Sequence, residues 1–68
     1  MTFSERLKET RLKSGLTQKQ VAQQSGISER QYQHLEAGNF YPQYETFLKL
    51  ADLFRVSLDY LAGRDDYL

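Results

Sequence analysis

Within six residues, Glu29, Arg30, Gln33 and His34 supply a carboxylate, a guanidinium, an amide and an imidazole. These side-chain types match the base edges of a DNA major groove: Arg pairs with guanine, Gln with adenine, and Glu accepts from the cytosine amino group. Upstream, Gln18 and Lys19 follow Thr17 at the start of a helical stretch, where free backbone N–H groups and the helix dipole favour an anion such as phosphate. Ser28 stands at a second such start and can serve both as a helix cap and as a phosphate contact. Most surface helices carry a polar outer face, so the inventory alone also fits a solvated face.

The elements that would position these residues are marked by repeated capping boxes. Thr2 with Glu5, Thr17 with Gln20 and Ser28 with Gln31 each pair a hydroxyl with a side chain three residues on, satisfying backbone N–H groups at a helix start. Helices are therefore expected over 3–14, 18–25 and 29–37, closed by Gly15, Gly26 and Gly38. The connection around Gly26 is so short that the second and third helices must cross steeply while sharing a core, the geometry of a helix-turn-helix. At about 100° per residue, Tyr32 and Leu35 fall on one side of the third helix. Arg30, Gln33 and Ala37 centre the opposite side, with Glu29 and His34 at its flanks. After the loop Asn39, Phe40, Tyr41 and Pro42, the residues Tyr44, Phe47, Leu48, Leu50, Ala51, Leu53 and Phe54 predict a fourth, largely buried helix. Ser57 caps a short fifth helix with Leu58 and Leu61, and Gly63 ends it before an acidic tail.

With 68 residues, the chain is expected to form one domain over 1–68, its core at about 3–62 and a tail at 63–68. It has no cysteine and a single histidine, which argues against a disulfide framework and against any metal site, and no cofactor is expected. No apolar run reaches the roughly 18 residues of a membrane span, so no membrane partner is expected and the location is read as cytoplasmic. The nine Lys/Arg balance the nine Asp/Glu. Residues 1–44 carry six basic against four acidic side chains and residues 45–68 three against five, a split of +2 and −2 that points a polyanion to the first part.

Taken together, Arg11, Gly15-Leu16-Thr17-Gln18, Val21-Ala22, Gly26-Ile27-Ser28, Tyr32, Leu35-Glu36-Ala37-Gly38 and Pro42 with Thr46 resemble the Cro/CI-type, or XRE, helix-turn-helix regulators. The resemblance covers about residues 3–62 and includes the closing Leu-Ala-x-x-Phe-x-Val-Ser-x-x-x-Leu run. It implies an all-α, five-helix lambda-repressor-like domain with the helix-turn-helix in helices 2 and 3. It further implies a transcriptional regulator, a repressor in the first instance, that docks residues 29–37 in the major groove of a palindromic double-stranded operator as a homodimer. On matching positions, Glu29, Arg30, Gln33 and His34 become base readers. Gln18, Lys19, Ser28, Asn39 and Tyr41 become backbone contacts, and Arg11 with Glu36 a structural salt bridge.

This chain departs from the family pattern at Thr10, where leucine is usual, at Gln43, where serine is usual, and at Arg55, where glycine often ends the fourth helix. Glu29 at the tip of the third helix should repel phosphate unless a cytosine amino group receives it, which keeps general DNA affinity low.

Two other classes compete. A protein-interaction module of the same fold, such as an antitoxin or a regulatory partner subunit, would use the many aromatics, since Phe40, Tyr41, Tyr60 and Tyr67 cannot all be buried. Tyr60 and Leu61 are assigned to a dimer interface formed by the fifth helix and the tail. An enzyme is not expected: His34 has no nucleophile and orienting group beside it, the glycines are isolated helix ends, and no small-molecule substrate site is evident.

Overall fold

The structure, a computed structural model, describes residues 1–64. Its elements are α1 (Phe3–Ser14), α2 (Gln18–Ser25), α3 (Glu29–Ala37), α4 (Tyr44–Phe54) and α5 (Leu58–Leu61), with no strand among the described residues. The three capping boxes form as the spacing predicts. The hydroxyls of Thr2, Thr17 and Ser28 accept from the backbone N–H of Glu5, Gln20 and Gln31, and those side chains return the bond to the cap N–H.

Between α2 and α3 the chain reverses at Gly26, whose φ of 74° lies in the left-handed region. A Cβ there would meet only the Lys49 Nζ at 3.5 Å, so the backbone angle rather than crowding favours glycine. The Ile27 N–H then reaches back to the Ala22 carbonyl at 3.1 Å, which closes α2 and starts α3 two residues later.

Every helix contributes to one core: Leu7 from α1, Val21 from α2, Tyr32 and Leu35 from α3, Leu50 from α4 and Leu61 from α5 are each at most 2% exposed. Full burial of each such side chain contributes about 1.5–3 kcal/mol. Two expectations change here. The fourth helix is not largely buried. Only Leu50 and Ala51 are enclosed, while Phe47, Leu48, Leu53 and Phe54 are half-buried and Tyr44 is 68% exposed, because a small domain cannot surround a helix with four others. Leu61 does not face a partner subunit either, since it is 0% exposed within its own chain. Tyr60 is half-buried, with the Arg6 guanidinium 4.1 Å above its ring and Arg6 Nη1 donating to its carbonyl at 3.0 Å.

The three unusual positions differ in how the structure accommodates them. Thr10 is buried, and its hydroxyl donates to the Arg6 carbonyl at 2.7 Å, one turn back in α1. Gln43 makes no side-chain cap on α4, and Arg55 ends that helix at φ 56° and ψ 45°, left-handed without being glycine. Gly63 packs against the Met1 carbonyl so closely that no Cβ fits between them. The rest of the expected acidic tail, including Tyr67, lies outside the described residues.

Candidate nucleic-acid interface

α3 turns Tyr32 and Leu35 into the core and leaves Glu29, Arg30, Gln33 and Ala37 exposed on its outer side. Three of the four expected base readers therefore project freely from one helix face. The fourth is placed differently. His34 is half-buried on the flank toward the following loop, its Nδ1 2.7 Å from Asn39 Nδ2 and its ring centroid 5.8 Å from that of Phe40. With the Asn39 amide donating an N–H to Nδ1, Nε2 is the ring nitrogen left to carry a proton. Asn39, expected at the backbone, is thereby brought to a base-reading candidate. Sequence reasoning offered Phe40 only as an aromatic for a protein contact, and its place against His34 was missed because nothing in its spacing showed that the loop would fold back over α3. Tyr41 is 77% exposed, with its ring 5.8 Å from Phe3.

On the other flank, α2 begins beside α3. Lys19 is exposed at its first turn, where the leading N–H groups have no partner within the helix. Ser28 is exposed at the start of α3, its hydroxyl already engaged by the Gln31 N–H at 3.0 Å. Gln18 is half-buried, and its Nε2 donates to Glu36 Oε1 at 3.1 Å. No sequence signal links these two positions; the contact depends on how α2 crosses α3.

Glu36 lies at the centre of a buried polar group. Arg11 Nε donates to Oε2 at 2.6 Å and Nη2 to Oε1 at 3.2 Å, while Nη1 reaches the Leu16 carbonyl at 3.1 Å. The pair is shielded, with side chains 11% and 4% exposed. Burial pushes the Glu36 carboxyl up, but the hydrogen bonds from Arg11 and Gln18, with the Tyr32 hydroxyl beside it, outweigh this and hold it below the usual range. Burial foremost, and then the Glu36 charge, push the Tyr32 phenol well above its ordinary value. Its hydroxyl makes no hydrogen bond of good geometry.

A groove of about 500 Å³ runs between α3 and the start of α4, lined in part by Ile27, Gln31, Leu35, Phe40, Tyr41 and Thr46. It is open and carries no titratable pair. Among the described residues, no three His, Cys, Asp or Glu side chains gather as a metal-binding group. Among the described residues, no helix is long and apolar enough to cross a membrane.

Comparison with known proteins gives a consistent picture. Residues 7–61 match the profile of the helix-turn-helix family HTH_3. The chain is similar to the HTH-type transcriptional regulator ImmR of Bacillus subtilis, 41% identical over 66 residues, 97% of this chain and 52% of that protein. It is also similar to the cryptic phage CTXphi transcriptional repressor RstR of Vibrio cholerae, 39% identical over 64 residues, 94% of this chain and 57% of that one. The chain thus spans about half the length of the relatives it matches. Among solved structures, the P22 c2 repressor protein in complex with synthetic operator 9T superposes with a TM-score of 0.90 at 26% identity, over 96% of this chain and 98% of that one.

Proposed function

Because this chain belongs to the helix-turn-helix family HTH_3, we propose that it binds double-stranded DNA through α2 and α3 and regulates transcription, acting as a repressor. Arg30, Gln33 and Glu29 read base edges in the major groove, and His34 offers its Nε2–H to an acceptor at the edge of the same site. Lys19, Gln18 and the N-termini of α2 and α3 hold phosphates, while Asn39 and Tyr41 meet the backbone on the opposite side. Ser28 adds a contact only to the extent that its cap allows.

The observation that carries this reading is the exposed polar face of α3 beside the start of α2. The scaffold superposes at a TM-score of 0.90 on a repressor that was crystallised with its operator. The likeness to ImmR and RstR, both named transcriptional regulators, supports regulation over the interaction-module reading. The chemistry is binding rather than catalysis. The reading includes a homodimer on a two-fold symmetric operator, with half-sites about one helical turn apart, as is general for helix-turn-helix dimers. Leu61 is enclosed, so any α5 contribution to the partner contact comes from the half-buried Leu58 and Tyr60. A cytoplasmic location fits this role.

The test is in vitro selection from randomised duplex DNA at about 100 mM salt, followed by the salt dependence of the selected site. Enrichment of a palindrome by the folded chain is the expected result. A folded chain that enriches nothing overturns the DNA reading and favours a protein partner.

A further inference from the structure

Glu36 does more than a strut between α1 and α3 requires. Such a strut needs only the two bonds from Arg11, at 2.6 and 3.2 Å. The carboxylate also receives Gln18 Nε2 at 3.1 Å from the first residue of α2. We propose that Glu36 is a positioning residue that presents the Gln18 amide to DNA phosphate, an inference that rests on the DNA-binding reading above.

The chemistry of the contact gives it a direction. A carboxylate only accepts, so the Gln18 amide can dock against Glu36 only with its NH2 end inward. One N–H of that nitrogen is used, and the second is left for another acceptor. Without Glu36, the terminal torsion of a glutamine is broad and roughly two-fold, and the amide would turn its carbonyl toward a phosphate as readily as its N–H. A bond to a charged acceptor is also stronger than a neutral one and polarises the amide it holds. Arg11 completes the arrangement. It neutralises Glu36, which would otherwise repel phosphate, and its Nη1 fixes the Leu16 carbonyl just ahead of the α2 cap at 3.1 Å. The start of α2 and the reading face of α3 are thereby tied through one buried group, and Gln18 is pre-organised before DNA arrives.

The test is a double-mutant cycle on DNA affinity. Gln18→Ala, Glu36→Gln and the double variant are titrated against the selected duplex at one fixed salt concentration. Each single variant is expected to lose roughly fivefold in affinity, the equivalent of one net hydrogen bond. The double is expected to be no weaker than the weaker single. Losses that multiply in the double variant overturn the proposal, since Glu36 would then act only through the fold. Should Glu36→Gln fail to fold, the side-chain amide signals of the wild-type chain without DNA decide. One Gln18 Nε2 proton should be displaced and protected from exchange relative to the exposed Gln23 and Gln24. Gln18 signals that match theirs overturn it equally. A wild-type chain that binds no DNA removes the reading beneath the proposal, whereas absent coupling in a chain that does bind removes the proposal alone.

Discussion

On its α2 side, α3 rests against a buried, charged group in which Arg11, Glu36 and Gln18 join three helices. On its loop side it is met by an exposed amide–imidazole bond between Asn39 and His34 and by the half-open ring of Phe40, 47% exposed. Both flanks hold side chains proposed to touch DNA, yet only one of them is enclosed in low-dielectric surroundings. A charge pair taken out of water depends strongly on each partner, whereas an exposed bond competes with water and is worth little. The α2 flank should therefore set both stability and the register of the domain on the duplex, and the loop flank should tune recognition with little effect on folding.

The largest expected effect lies at Arg11. Arg11→Met leaves the Glu36 carboxylate 4% exposed and without its cation, a change of the kind that costs about 3–5 kcal/mol. For a domain of this size that is most of the stability, and thermal melting should show a chain largely unfolded near 37 °C. A loss below about 1 kcal/mol would erase the distinction between the flanks. The same carboxylate responds to acid. Because its pKa in the folded state is held below the ordinary 4.5, its contribution is fully present above that value and is lost as pH falls through the folded pKa. Glu36→Gln should flatten part of the acid limb of a stability–pH curve. The limb should not vanish, since hydrogen bonds from Thr2 also lower the exposed Glu5.

Next in size is the exposed face between the flanks. Arg30→Ala should cost roughly 1–3 kcal/mol on the selected site and relax preference at one base pair. Lys19→Ala should weaken all sequences alike and reduce the salt slope by about one phosphate contact. Competition titrations against single-base variants separate the two, and a uniform loss from Arg30→Ala would count against its role as a reader. Neither change should move the melting temperature, since both side chains are exposed.

Capping hydroxyls at Thr2, Thr17, Ser28 and Ser57 made four helices legible, because caps are local and their spacing is rigid. By contrast α4, without a side-chain cap and ending at Arg55, was legible only from its apolar spacing. The exposed polar face of α3 was legible because a helix of known start has a known angular order. What was not legible depends on packing. Phe54 and Phe47 look like core residues in a periodic pattern, but they are half-buried, as the domain has too few elements to cover α4. Leu61 is expected at a dimer interface of the fifth helix and the tail, yet its side chain completes the core. The resemblance paired Arg11 with Glu36, yet the third member of that group, Gln18, comes from a helix crossing that spacing does not encode.

The smallest expected effect sharpens the comparison most. Asn39→Ala removes the partner of His34 Nδ1 from an exposed position, so stability should change by no more than about 0.5 kcal/mol. Recognition should change more than stability. Without the amide on Nδ1, the imidazole can place its proton on either nitrogen, and Nε2 can accept as well as donate. At the base pair His34 approaches, discrimination between acceptor edges such as guanine N7 and donor edges such as the cytosine amino group should weaken. The imidazole 15N shifts of His34 should move from one dominant tautomer toward a mixture. If Asn39→Ala instead destabilises the fold on the scale of Arg11→Met, the loop flank supports α3 as firmly as the buried group does. His34 would then be a packing residue rather than a reader.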